Sequence, residues 1–172
     1  MFLNYLKDFF VKKTLKKSFQ NLKNVESVNV VQTIGLLVDA TRFAETELLI
    51  EELMANGIAP ENIATIVYND NIKKTTEKTY SVFHSGHLKW NGEISFPAVN
   101  DFISEKFDLL ISYYDIEKAI LLKITHNSNA QFKVGFASID KRLNHFMIKT
   151  EVNHHKIFIS ELFKYLKLLN KT

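Results

Sequence analysis

The sequence predicts an α/β protein with a three-layer, mostly parallel open sheet and an N-terminal helical arm. Three observations predict this fold class. Continuous apolar runs of strand length alternate with segments of helical periodicity, as in β-α-β units. The strand-like runs lack a polar face, which is typical of strands covered by helices on both sides. The first 23 residues contain neither glycine nor proline and carry a helical apolar pattern.

The first predicted helix, residues 2–23, has two apolar stripes on nearly opposite sides. The first stripe comprises Phe2, Leu3, Leu6, Phe9 and Phe10, and the second comprises Val11, Leu15, Phe19 and Leu22. A straight helix with both stripes would be apolar on two sides. Either the chain bends near residues 10–13, or the first turns contact something outside the body. We expect the second stripe to dock on the core and the phenylalanine-rich tip to face a partner.

The remaining elements follow in order along the chain. Residues 33–38 predict a buried strand, and residues 43–56 predict a helix with Leu48, Leu49, Leu53 and Met54 inward and Gly57 as its cap. Further strands are predicted at 63–68, 80–84, 87–90, 107–113, 131–136 and 146–152. Further helices are predicted at 97–105, 116–126 and 156–169. Residues 69–79 are polar and are predicted to form a loop.

Composition excludes several classes of protein. A chain of 172 residues that is 46% hydrophobic, with 14 Phe, can bury a core, so general disorder is excluded. The absence of Cys excludes disulfides, thiolate nucleophiles and thiolate metal sites. Neither a glycine-rich phosphate loop nor a G-x-S-x-G elbow occurs. We expect a cytoplasmic protein with no transmembrane segment and no cofactor, made of an arm (residues 1–25) and one α/β domain (residues 26–172).

Polar residues follow the predicted strands, and in parallel sheets such strand ends share one edge, where Rossmann-like and flavodoxin-like folds bind ligands. The candidate ligand-binding residues at this edge are Asp39, Thr41, Arg42, Asp70, Asp115, Asp140 and Lys141. A phosphorylated metabolite or a nucleotide-like molecule would suit them, in a binding protein or a transferase-type enzyme. For Asp39 and Thr41, however, capping of the next helix is the simpler explanation.

Charge is distributed unevenly along the chain. The net charge is +5 over residues 1–23 and +3 over residues 156–172, with −5 between them. Such segregation indicates either an anionic partner or solvated helix faces. The candidate partner-binding residues are Phe9, Phe10, Lys12, Lys13, Lys16 and Lys17. Non-specific nucleic-acid binding is left open, and peripheral membrane contact is disfavoured because one short helix anchors weakly.

His84 and His87 have the spacing H-x-x-H, with Gly86 suggesting a turn between them. Two ligands do not make a zinc site, so metal binding by this pair is left open beside a surface or capping role. We predict no metal ligand and no catalytic residue from the sequence.

Four short segments and the basic first helix resemble a known family. The segments are Ile34–Asp39, Leu88–Gly92, Phe107–Ile111 and Ser128–Gly135. Together they resemble an uncharacterised family of small Bacteroidota proteins, a domain of unknown function with a Rossmann-like body. The resemblance covers most of the chain and implies a fold, but no activity or site residue.

The sequence therefore favours a non-enzymatic interaction module that contacts a protein or ribonucleoprotein partner through its basic helices. The alternative is a small-molecule protein or enzyme that uses the polar edge of the sheet. A rim of mutually paired charges would disfavour this alternative, whereas convergence of those side chains on a deep cleft would favour it.

Overall fold

The structure is a computed structural model that describes residues 2–20, 30–71 and 80–172, with side chains from residue 5 onward. Its helices are α1 (Phe2–Ser18), α2 (Thr46–Ala55), α3 (Pro97–Ser104), α4 (Ala119–Asn127) and α5 (His155–Leu168). Its strands are β1 (Ile34–Asp39), β2 (Ile63–Tyr68), β3 (Ser81–Phe83), β4 (Leu109–Tyr113), β5 (Phe132–Phe136) and β6 (Phe146–Ile148). Short 3-10 turns occupy Pro60–Asn62 and Ser85–His87.

The six strands form one sheet in the order β3-β2-β1-β4-β5-β6, and every neighbouring pair is parallel. This confirms the predicted fold class. The order is that of doubly wound Rossmann folds rather than of flavodoxin. Because the chain moves outward from β1 in one direction and from β4 in the other, the carboxyl ends of β1 and β4 meet at the point where the order reverses.

Helices cover both faces of the sheet. α2 packs against α5, whereas α1 and α3 both pack against α4. Right-handed crossovers place α2 and α4 on opposite faces because their strands advance in opposite directions across the sheet. The central strands β1, β4 and β5 are therefore buried along their whole length, as their apolar runs predict.

The structure corrects several predicted boundaries. α2 begins at Thr46 rather than residue 43, because the backbone turns back on Asp39 first, and Met54 lies on its exposed side. Residues 87–90 are not a strand; Leu88 makes an isolated bridge to Ile94. β6 ends at Ile148 because its partner β5 ends at Phe136, to which Ile148 is paired.

The first helix is continuous from Phe2 to Ser18, which excludes the first of the two alternatives for this segment, a bend near residues 10–13. Val11 and Phe19 are buried and Leu15 packs against the core, as predicted for the second stripe. Several predictions fall outside the described residues. They concern Leu22, the boundary between residues 25 and 26, most of the 69–79 loop, and the side chains of Phe2 and Leu3. Within the described ranges, no helix has the length and apolar character needed to cross a bilayer.

The β5–β6 crossover is made by nine residues without a helix. Gly135 lets this loop lie directly on the sheet: a Cβ there would come within 2.7 Å of the side-chain nitrogen of Asn144. Arg142 in the same loop donates from Nη1 to the carbonyl oxygens of Lys16 and Phe19, at 3.1 and 3.4 Å. The short loop therefore completes the helical layer beside α1.

Two basic side chains, the buried Lys133 and the half-buried His145, lie at the opposite, amino-terminal edge of the sheet. Lys133 Nζ donates to the carbonyl oxygens of Thr125 and His126 at the end of α4, and burial lowers the pKa of Lys133 to about 8. His145 Nδ1 accepts a hydrogen bond from the backbone nitrogen of Lys133 at 2.9 Å. Burial, reinforced by the charges of Lys133 and Lys171, lowers the pKa of His145 to about 4.

We predict that His145 makes the fold sensitive to mild acid. An ordinary histidine pKa is about 6.5, so between about pH 6.5 and 4 the unfolded chain binds a proton that the folded chain does not. The free energy of unfolding should therefore fall as pH is lowered through this window, because a proton on Nδ1 would meet the Lys133 N–H. Urea unfolding of the wild type at pH 6.5, 5.5 and 4.5 measures the fall.

The variant His145→Asn supplies the control, since its side-chain oxygen accepts the same hydrogen bond but does not titrate. Its stability should be lower overall, through loss of the ring stacked on Phe132, yet should change less between pH 6.5 and 4.5. An equal pH dependence in both proteins would contradict the assignment to His145.

Candidate functional site

The polar edge of the sheet is built around a buried carboxylate at the end of β1. Asp39 is 0% exposed, and its Oδ1 accepts hydrogen bonds from the backbone nitrogen and the hydroxyl of Thr41, at 3.0 and 2.5 Å. Lys118 Nζ donates to Asp39 Oδ2 at 2.5 Å and to Thr41 Oγ1 at 2.6 Å. The capping explanation of Asp39 and Thr41 is wrong for α2, since Asp39 closes the turn that precedes this helix.

The network continues onto the neighbouring strand. Asp39 and Tyr68 are register partners on β1 and β2, and Lys118 Nζ lies 4.3 Å from the centre of the Tyr68 ring. The Tyr68 hydroxyl donates to Asp70, and burial together with that carboxylate raises the pKa of Tyr68. Burial opposes ionisation of Asp70, but hydrogen bonds from Tyr68 and Ser85 outweigh it and lower the pKa of Asp70. Tyr68 therefore stays protonated and Asp70 stays ionised.

Two further ion pairs occupy the rest of this polar edge, which we call the rim. Arg42 forms a two-point pair with Asp115, at 3.2 Å from Nε and 3.1 Å from Nη2. Arg142 forms another with Asp140, at 2.9 and 2.6 Å. The hydrogen bonds from Arg142 lower the pKa of Asp140 to about 2.

Six of the seven candidate ligand residues thus have a hydrogen-bond partner inside the chain, in three groups. Asp39, Thr41 and Asp70 share the Lys118–Tyr68 network, Arg42 pairs with Asp115, and Asp140 pairs with Arg142. Lys141 is exposed and makes no ion pair within the described part of the chain. This rim consists largely of mutually paired charges, the arrangement that disfavours ligand binding there.

Hydrogen bonds made by side chains of the first helix, α1, connect this helix to the rim. Asp8 Oδ1 accepts from the backbone nitrogen of Ala119 at 2.8 Å, so a side chain of α1 caps α4, whose own N-cap residue Lys118 makes no side-chain cap. Lys7 is buried and donates to the carbonyl oxygen of Ser85 at 3.0 Å. The α4 N-terminus, which could attract an anionic ligand, is therefore occupied by a carboxylate of the same chain.

The four candidate lysines of α1 divide into two pairs. Lys12 Nζ donates to the carbonyl oxygen of Glu117 at 2.8 Å, and Lys16 Nζ lies 2.5 Å from a carboxylate oxygen of the same residue. Lys13 and Lys17 are exposed and make no ion pair within the described residues. Lys12 and Lys16 hold α1 on the body, which leaves Lys13 and Lys17 on the outward face.

The outward face of α1 also carries the two candidate aromatic anchors. Phe9 is 49% exposed and Phe10 is 55% exposed, and their rings meet edge to face at 5.7 Å. Tyr5 is exposed on the same helix. The docking of Val11 and Phe19 on the body thus leaves three aromatic side chains of α1 in solvent.

The histidine pair closes a local turn. Nδ1 of His84 accepts from the backbone nitrogen of Gly86 at 3.1 Å, and Nδ1 of His87 accepts from that of His84 at 3.2 Å. Burial, then the neighbouring His84, lowers the pKa of His87. Among the residues that the structure describes, no three His, Asp or Glu side chains converge as a metal centre requires.

Sequence reasoning missed the residues that hold the rim together, namely Lys118, Tyr68, Asp8 and Glu117. Tyr68 is the last residue of β2, and only the register opposite Asp39 reveals its place. Lys118 follows Asp115 by three residues, so a search extended along the loop after β4 could have found it. Asp8 contacts a residue 111 positions away, for which the sequence pattern holds no signal.

We predict that Lys118 stabilises the fold by neutralising Asp39. Lys118→Met leaves a buried carboxylate without its cation and should lower the free energy of unfolding by about 3 kcal/mol. The double variant Asp39→Asn/Lys118→Met, which buries no charge, should recover most of that loss. Lys141→Met is the matched control and should change stability by less than about 0.5 kcal/mol.

Urea unfolding followed by circular dichroism measures all three variants. If Lys118→Met unfolds at the same urea concentration as Lys141→Met, the Asp39–Lys118 pair contributes nothing to stability and the prediction fails.

Comparison with known proteins matches the chain to a family model. No curated protein and no solved structure matches the chain. One family model matches residues 7–169, from within α1 to the end of α5, and is described as a family of unknown function, DUF6913. Since the match spans nearly the whole chain, this protein belongs to the family of unknown function DUF6913.

Proposed function

We propose that this chain is a cytoplasmic, non-enzymatic interaction module that binds a partner protein through the outward face of α1. The observation that carries this proposal is the division of α1 into two apolar sides. One side packs on α4, while Phe9 and Phe10 on the other remain about half exposed. Exposed aromatic side chains on a well-anchored element are typical anchors of protein interfaces.

The charges on α1 support the same proposal. Lys13 and Lys17 lie on the outward side with the aromatic residues, so the face combines apolar anchors with cations. Two outward lysines can neutralise few phosphates, and the chain has only two arginines (Arg42 and Arg142), both paired with aspartates. A protein partner with acidic side chains therefore suits the face better than a nucleic acid.

The polar rim supports a non-enzymatic function. Asp39, Arg42 and Asp140 already satisfy their charges within the chain. A substrate would have to displace these partners before it could contact the carboxylates or the guanidinium group. In this proposal the rim anchors α1 and has no catalytic role.

We predict that the double substitution Phe9→Ser/Phe10→Ser removes the partner but leaves the fold intact. Both rings are half exposed, so the melting temperature should stay within a few degrees of the wild type. Loss of two aromatic anchors should weaken binding by roughly 30-fold or more. The measurement is affinity purification of the full-length protein from its native cell at low and high salt.

The matched control is Ile157→Ser/Leu168→Ser, two exposed apolar residues of α5 in the other helical layer. It should retain the partner. Equal recovery of the same partner by the wild type and the Phe9/Phe10 variant would refute the proposal. Recovery of nucleic acid in place of a protein would refute the choice of partner class.

A further inference from the structure

The chain's single tryptophan lies on a hydrogen-bonded turn and is exposed to solvent. Trp90 is 59% exposed. Its turn is closed by the Leu88–Ile94 bridge and by a hydrogen bond from the backbone nitrogen of Lys89 to the carbonyl oxygen of Glu93 at 2.8 Å. Gly92, with φ of +82°, completes the turn in a conformation that favours glycine. The backbone of the turn thus places the indole where most of its surface is exposed.

A groove of about 300 Å³ separates this turn from α1. Phe10, Thr14 and Ser18 line its α1 side at intervals of four residues, and Trp90 lines the other. Residues spaced by four lie along one side of a helix, so the groove follows α1 for about 12 Å. This length corresponds to about two turns of an α-helix, and helices bind such grooves by inserting one row of apolar side chains.

The charge of the groove is positive. Lys123 of α4 is the one ionisable side chain that lines it, and it makes no ion pair within the described residues. Lys17 follows Thr14 by three residues and is exposed, so it lies on the solvent edge of the same side of α1. An occupant with carboxylates facing these two ammonium groups is therefore electrostatically complementary.

We propose that the groove between α1 and the Trp90 turn binds an acidic amphipathic helix of a partner protein. The helix inserts a bulky apolar side chain between Phe10 and Trp90 and sets carboxylates against Lys123 and Lys17. This inference rests on the proposed function and extends the α1 face across the groove to the Trp90 turn. Trp90 and Lys123 then belong to the surface that binds the partner helix.

A second groove, of about 610 Å³ between α2 and α5, lacks this pattern. Two of its lysines already lie near glutamates of the chain: Lys156 is 3.7 Å from Glu52, and Lys164 is 3.5 Å from Glu161. Neither tryptophan nor a pair of exposed aromatic rings lines it. The Trp90 groove therefore carries the inference.

The test exposes the full-length protein to a display library of random peptides of about 15 residues, a length at which helices begin to be stable in water. Enrichment of acidic sequences with apolar residues at helical spacing supports the proposal. Enrichment of basic or non-periodic sequences, or no enrichment over a bare surface, overturns it. Two other results would also overturn it. One is tighter binding of a fluorescent single-stranded oligonucleotide than of any peptide; the other is self-association in sedimentation that the peptide displaces.

Affinities of the best peptide for variants then locate the site. Trp90→Ala should weaken binding by roughly 30-fold. Lys123→Glu should weaken it by roughly fivefold, and a peptide with lysine in place of its glutamates should bind Lys123→Glu better than the wild type. Ile157→Ala and Lys167→Glu, on α5, are the controls and should bind as the wild type. Peptides that bind Trp90→Ala unchanged would place the site elsewhere.

The two proposals fail in different ways. If Phe9→Ser/Phe10→Ser loses the cellular partner while Trp90→Ala and Lys123→Glu retain it, the α1 face binds and the groove inference is wrong. If all these variants retain the partner, both proposals are wrong. Melting curves of each variant separate loss of binding from loss of folding.

Discussion

The docking of α1 on α4 is the constraint on which the rest of the functional surface depends. It combines burial of Val11 and Phe19 with the carboxylate of Asp8 at the first turn of α4. Because these contacts fix the rotation of α1 about its own axis, they also decide which side chains face outward. The exposed aromatic residues, the two outward lysines and the groove beside Trp90 all follow from that one orientation.

The same docking changes what the carboxyl edge of the sheet can do. Parallel sheets with this strand order gather polar groups where the order reverses, and ligands commonly bind there. In this chain Lys118 neutralises the buried Asp39, arginines hold two other aspartates, and Asp8 satisfies the α4 N-terminus. At this edge, side chains of the same chain make the contacts that a bound ligand would make in other proteins with this strand order. It stabilises the helical layer that carries the proposed interface.

The sequence predicts the fold well because the patterns that indicate it are local. The central strands are continuous apolar runs, and their burial on both faces follows from that pattern alone. Short or edge elements are predicted less well: residues 87–90 form a turn, and β6 stops at Ile148 where its neighbour β5 ends. The rim residues are a third case. The rule about strand ends finds Asp39 and Asp115, but register and long-range contacts, which no local pattern records, bring Tyr68, Lys118 and Asp8 to them.

The distance along the chain between α1 and its docking surface has a consequence for synthesis. The ribosome makes α1 well before α4, which begins only at Ala119. At roughly 5–20 residues per second, the nascent helix waits on the order of 5–20 s before its partner exists. During that interval the side of α1 that packs on α4 lacks its partner, so the nascent chain exposes more apolar surface of α1 than the folded protein does. The docking of α1 is therefore a late event in the folding of the nascent chain.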